Sequence, residues 1–148
     1  MKVKESLKTY ELRKVNSDFK AYKLSNAESA EQFCRQFFGE DIEIFESFFV
    51  GLLDIRLHTV GWVKLSQGGT AGTVVDMKLL AKYAVGSLSH AVILCHNHPS
   101  GNLNPSQADK TLTSRAIKAL DLLDIKIVDH IILTKESSFS FAENGILY

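Results

Sequence analysis

Apolar residues fall into short runs separated by polar punctuation, and the runs follow two different periods. From 42 to 56, Ile, Phe, Val and Leu follow one another closely, which predicts a buried strand. Residues 59–66 predict its antiparallel neighbour, closed by Gln67-Gly68-Gly69. Ala91 to Cys95, residues 125–134 and Ser138 to Phe141 predict three more strands. Helical spacing occurs in three places. Ser25 with Glu28 three residues on resembles a capping box, predicting a helix to about Phe38 that Gly39 stops. Asp76 predicts the cap of a helix over 77–86, with Met77, Leu80, Ala81 and Ala84 on one face. The clearest helix runs from about 106 to 123, with Ala108, Leu112, Ala116, Ala119 and Leu123 as its core face. Residues 8–24 follow no period; Asn16-Ser17-Asp18 reads as a turn between two short strands, so residues 1–24 are expected as a loosely packed strand pair.

Strands interleaved with helices predict an α/β domain, and the immediate succession of 42–56 and 59–66 makes its sheet mixed. At 148 residues, without repeat or linker, the chain is expected to form one domain over 1–148. Seventeen basic and seventeen acidic residues cancel, which argues against a general nucleic-acid binder. The two cysteines, Cys34 and Cys95, make no disulfide framework. No signal-peptide run or bilayer-length apolar stretch is present, so the expected location is the cytoplasm, away from membranes. Trp62 and the phenylalanines are expected in the core, and His58 and His90 at the surface.

The chemistry concentrates in residues 96–109. His96 and His98 leave a buried strand two residues apart, so in extended chain their imidazoles point to one side. There they can share a zinc ion, with Asp109 adding a carboxylate oxygen from the first turn of the next helix. Three protein ligands leave a fourth position for water, and a water so activated needs a base. Glu46 is the candidate, an acid set within an apolar run and sharing parity with Ile44, Phe48, Val50 and Leu52; the alternative is a solvated strand edge. Ser106 either caps the helix or donates to an oxyanion in the cleft. Cys95 alternates away from His96 and reads as a small apolar residue rather than a ligand. Asp129 and His130 read as buried and hydrogen-bonded, with orientation of a ligand as the other possibility.

The run His-x-His-Pro, six residues, then Ser-x-x-Asp, with a Glu on an earlier strand, resembles the JAMM signature of the MPN+/JAB metalloproteases. The resemblance implies that His96, His98 and Asp109 bind zinc, that Glu46 is the acid/base and that Ser106 stabilises the oxyanion. It also implies a three-layer α/β/α fold similar in outline to the cytidine deaminases, and a metallohydrolase acting on a peptide or isopeptide bond of a protein substrate. Within that superfamily His96 to Gly101 (HNHPSG), Asp109, Asp129-His130 and Gly69-Thr70 resemble the RadC-like branch, over residues 8–148. Full-length RadC proteins carry a helix-hairpin-helix DNA-binding segment, for which this chain has no room; it resembles the short forms. The alternative function is therefore that of a DNA-repair-associated accessory protein acting on or near DNA. Many RadC-like proteins have a His-Pro pair where this chain has Asp76-Met77, and no function is assigned there.

Overall fold

Five strands make one sheet in the order β2-β1-β3-β4-β5 in a computed structural model that describes residues 6–69 and 74–148. They are β1 (Ser47–Leu53), β2 (Thr59–Gln67), β3 (Ala91–Asn97), β4 (Lys126–Leu133) and β5 (Ser138–Ser140). β1 runs antiparallel to β2 and β3, β3 parallel to β4, and β4 antiparallel to β5. The sheet is mixed, as the strand succession predicts.

Three helices cover it: α1 (Ala27–Arg35), α2 (Met77–Gly86) and α3 (Gln107–Asp121). Strand side chains alternate between faces, and each face receives its own helices. Ala30, Phe33 and Cys34 of α1 pack on Phe49, Leu53, Ile93, Cys95 and Ile131. Leu80 and Ala84 of α2, with Ala116 and Leu120 of α3, pack on Phe48, Val50, Leu52, Val92 and Leu94. The result is the expected three-layer α/β/α arrangement. Phe33 rests directly on Gly51: a Cβ there would lie 2.5 Å from Phe33 Cε1 and 2.7 Å from Ile93 Cγ2. Both cysteines are free and buried on the α1 side, opposite the face that carries His96. Among the described residues no helix is long and apolar enough to cross a membrane.

Several expectations shift. The run 42–56 is not one strand: Glu40–Glu43 forms a 3₁₀ turn, and the strand begins only at Ser47. The Ile42 and Phe45 carbonyls accept from the Asn97 side chain instead of from a neighbouring strand. α1 is capped by Asn26 with Ser29 rather than by Ser25 with Glu28, because the Asn26 side chain accepts the Ser29 N–H while Ser29 Oγ accepts the Asn26 N–H. It ends at Arg35, three residues short of Phe38. On α3 the buried stripe is Thr113, Ala116 and Leu120, while Ala108 and Leu123 are exposed. Alanine spacing is ambiguous on a helix; the turn is set by Asp109 and Thr113, which face inward. Residues 6–22 form no strand pair. They extend along the domain to a single bridge between Lys23 and His58, where Leu24 donates to the Leu57 carbonyl and Thr59 to that of Tyr22. Asn16-Ser17-Asp18 makes no backbone turn; Ser17 Oγ instead accepts from Phe19 N and from Trp62 Nε1. Residues 1–5 of the expected pair, and Thr70, lie outside the described residues.

Candidate metal centre

β3 is central in the sheet, and its C-terminal end sends alternate side chains to opposite layers. His96 and His98 turn toward α3; Asn97 between them turns toward the layer of α1. His98 lies one residue past β3 but keeps the ladder going, donating its N–H to the Leu133 carbonyl at 2.9 Å. The chain then turns at Gly101, whose N–H donates to the His98 carbonyl and whose φ of +84° suits glycine. That turn brings the Asn102 carbonyl to 2.6 Å from His98 Nδ1. A carbonyl only accepts, so Nδ1 carries the proton. Nε2 is left as the nitrogen that can take a second proton or a metal ion.

The loop ends at Ser106, the N-cap of α3. Its Oγ accepts the Asp109 N–H at 3.0 Å, and its own N–H donates to Asp109 Oδ2 at 2.9 Å. The reciprocal cap fixes both the helix start and the direction of the carboxylate. Asp109 Oδ1 lies 3.2 Å from His96 Nε2, and Oδ2 lies 3.1 Å from His98 Nε2. The two Nε2 atoms are 3.0 Å apart. Burial works to raise the Asp109 pKa, but the two imidazoles and the Ser106 N–H outweigh it and hold the carboxyl well below the usual range. Burial likewise works against charge on His98, yet Asp109, the Asn102 carbonyl and Glu46 together raise its pKa.

Glu46 completes the group. Its Oε1 is 3.8 Å from His96 Nε2 and 4.0 Å from His98 Nε2, farther than Asp109 from each. One ligating atom from each of Glu46, His96, His98 and Asp109 lies within 4.8 Å of every other, so the four residues could hold a metal ion. Two imidazole nitrogens with a carboxylate oxygen form a donor set that zinc accepts. Glu46 sits just before β1 rather than inside a strand, and Ile44, expected on its face, is 51% exposed. Its parity with Phe48, Val50 and Leu52 holds, since all three lie on the α2/α3 side. The Gly68 N–H donates to the Glu46 carbonyl at 2.9 Å, extending the β1–β2 ladder by one bond. Glu46, Ser66, His98, Asn102, Ser106 and Asp109 line a cleft of about 870 Å³.

Residues behind the four hold the centre in place: Asn97 lies outside the sequence expectation, whereas His130 and Asp129 are buried and hydrogen-bonded as expected. Asn97 is fully buried; its Nδ2 donates to the carbonyls of Ile42 and Phe45, and its Oδ1 accepts the Ser47 N–H. These bonds bracket Glu46. The signal in the chain was the amide itself, since a polar side chain inside a buried strand must find partners. His130, also fully buried, lies 2.8 Å from His96 Nδ1 through Nε2 and 2.6 Å from Thr113 Oγ1 through Nδ1. Phe48 stacks on His96, and Phe141 on His130. Asp129 faces the other way, accepting from Ser140 Oγ and from the His130 and Ala142 N–H groups.

The family model for the RadC-like JAB domain matches residues 24–146. A UPF0758 protein of Flavobacterium johnsoniae is 46% identical over 101 residues, 68% of this chain and 44% of its own. Two UPF0758 proteins of Escherichia coli are similar over 102 residues and 69% of this chain. YfjY is 41% identical, with 64% of its length covered; YkfG is 43% identical, with 65% covered. The chain thus spans between 44% and 65% of the length of these three relatives. With a match over most of its length and this site at the end of its central strand, the chain belongs to the RadC-like JAB domain family.

Proposed function

We propose that this chain is a zinc-dependent hydrolase of peptide or isopeptide bonds. One observation carries the reading: the Nε2 atoms of His96 and His98 face each other at 3.0 Å, with the Asp109 carboxylate within 3.2 Å of each. Nitrogen lone pairs and carboxylate oxygens converging this way can share one cation between them. When bound, such a cation supplies Lewis acidity that lets water act as a nucleophile near neutral pH.

The chain's own residues supply the rest. Glu46, at 3.8 and 4.0 Å from the nitrogens, is set back from them and lines the open cleft through which water and substrate would enter. It takes the proton of the attacking water and returns it to the leaving nitrogen. Ser106 accepts the Asp109 N–H as a cap, and its hydroxyl hydrogen remains to donate to the oxyanion that forms on the scissile carbonyl. Membership of the JAB family and the resemblance to the JAMM proteases support a peptide-type substrate.

The test is metal analysis joined to a screen of peptide, isopeptide and nucleic-acid substrates. The purified protein is expected to hold about one zinc per chain, and His96→Ala to lose it. Glu46→Gln is expected to keep the metal and lose hydrolysis. A protein that takes up no metal, or a Glu46→Gln variant as active as the parent, overturns the reading. Salt-sensitive DNA binding without hydrolysis would transfer the case to a DNA-associated role.

A further inference from the structure

Behind the centre, a chain of hydrogen bonds runs from a backbone carbonyl to a ligand. Thr113 Oγ1 lies 2.7 Å from the Asp109 carbonyl oxygen and 2.6 Å from His130 Nδ1, and His130 Nε2 lies 2.8 Å from His96 Nδ1. Its polarity follows from donor chemistry. The Asp109 carbonyl only accepts, so the single hydroxyl hydrogen of Thr113 is committed to it. The Thr113 oxygen must then accept, and the donor is His130 Nδ1–H. His130 is fully buried with its ring against Phe141 and Phe48, an environment that favours the neutral form. A neutral ring has one N–H, so His130 Nε2 is a lone pair and accepts from His96 Nδ1–H. His96 is left with an unprotonated Nε2, the atom that faces Asp109 and His98.

We propose that Thr113 and His130 are positioning residues which lock His96 in its Nδ1–H tautomer and aim its Nε2 lone pair at the metal ion; the function of this lock rests on the metal-centre reading above. The two imidazoles are held by different devices. His98, nearer the cleft, gives its Nδ1–H to the loop carbonyl of Asn102, whereas His96, 2% exposed, is reached through two side chains. The relay begins on the backbone of Asp109, so the carboxylate ligand and the buried imidazole are registered on one turn of α3. Ligands held by such outer partners typically lose about 10–100-fold in metal affinity when the partner is removed.

Two measurements test the lock. Nitrogen-15 NMR of the metal-free protein at mildly alkaline pH reads the tautomers directly; His96 and His130 are both expected to carry the proton on Nδ1. Zinc competition against a chromophoric chelator is then compared for the parent, Thr113→Val and Thr113→Ser. The valine variant cuts the relay without changing the side-chain shape and is expected to bind zinc about 10–100-fold more weakly. The serine variant keeps the hydroxyl and is expected to restore parental affinity. A purely structural role would lower the unfolding midpoint of the valine variant while leaving its zinc affinity intact, and that result overturns the proposal. So does an Nε2–H proton on either ring. If the parent binds no zinc, the hydrolase reading falls, and the tautomers alone still decide whether the lock exists.

Discussion

Asn97 Oδ1 accepts the backbone N–H of Ser47 at 2.8 Å, joining the two residues that flank the site's critical side chains. Asn97 sits between the two imidazoles, and Ser47 directly follows Glu46. With its two bonds to the Ile42 and Phe45 carbonyls, the amide makes the segment that presents Glu46 an attachment of β3. Asn97→Ala is expected to cost about 1–3 kcal/mol for each backbone group left unpaired, less what local relaxation recovers. Zinc affinity is expected to change little, since the ligands lie elsewhere, while hydrolysis falls sharply. Parallel urea unfolding, chelator competition and turnover measure the three. Hydrolysis that falls only in step with zinc loss would contradict the clamp.

Ser106 combines a cap with a proposed oxyanion donor, and the two roles separate by substitution. Asp is as good an N-cap as Ser but, when ionised, has no hydrogen to give. Ser106→Asp is expected to keep parental stability and lose about 10²–10³ in turnover. Ser106→Ala is expected to lose both, with about 1 kcal/mol of stability. If the aspartate variant turns over at the parental rate, the hydroxyl serves the helix alone.

The contact between Gly51 and Phe33 predicts a steric penalty that a second substitution relieves. Gly51→Ala places a methyl 2.5 Å from Phe33 Cε1, which is expected to destabilise by about 1–3 kcal/mol. In a Phe33→Leu background, where the ring edge is gone, the same change is expected to cost less. A double-mutant cycle by urea unfolding measures the coupling; additive effects would mean that the ring does not set the limit.

The β1–β2 hairpin carries an acid-sensitive closure. Asp54 Oδ1 accepts the N–H groups of His58 and Arg56, each at 2.9 Å, and the bond from His58 leads the effects that lower its pKa from 3.8. A carboxylate with a depressed folded-state pKa adds stability above its unfolded value, and that stability is lost as pH falls through the folded value. The parent is therefore expected to exceed Asp54→Asn in stability above about pH 4, with the gap closing below it. Denaturation of both proteins across pH 2.5–6 (about the carboxylate range) checks this. A constant gap would place the difference in shape rather than charge.

Much of this arrangement was legible in the chain because it rests on periodicity and spacing. Met77, Leu80, Ala81 and Ala84 mark the inner face of α2 as expected, with Leu80 and Ala84 buried. The apolar run at Ala91 marks a central strand. The expected site residues Glu46, His96, His98 and Asp109 do come together, through i, i+2 and capping geometry. Long-range hydrogen bonds were not legible. Ile42, Ile44 and Phe45 look like strand residues, yet Asn97, some 50 residues away, occupies the carbonyls on either side. The inner face of α3 was placed in part: Leu112 and Ala116 do pack in the core, but Ala108 and Leu123 are exposed, and Thr113, which contacts His130, takes the most buried stripe. The apolar pattern of 8–24 was too weak to choose between paired strands and one extended segment.

The alternation at the end of β3 makes the chemistry hostage to sheet registry. Inserting or deleting one residue upstream in that strand would swing both imidazoles beneath α1 and turn the amide out into the open rim. Surface positions that touch none of these groups keep the freedom to change without that effect. The tripeptide His96-Asn97-His98 has no such freedom, because one frame shift would dismantle the centre and release Glu46 together.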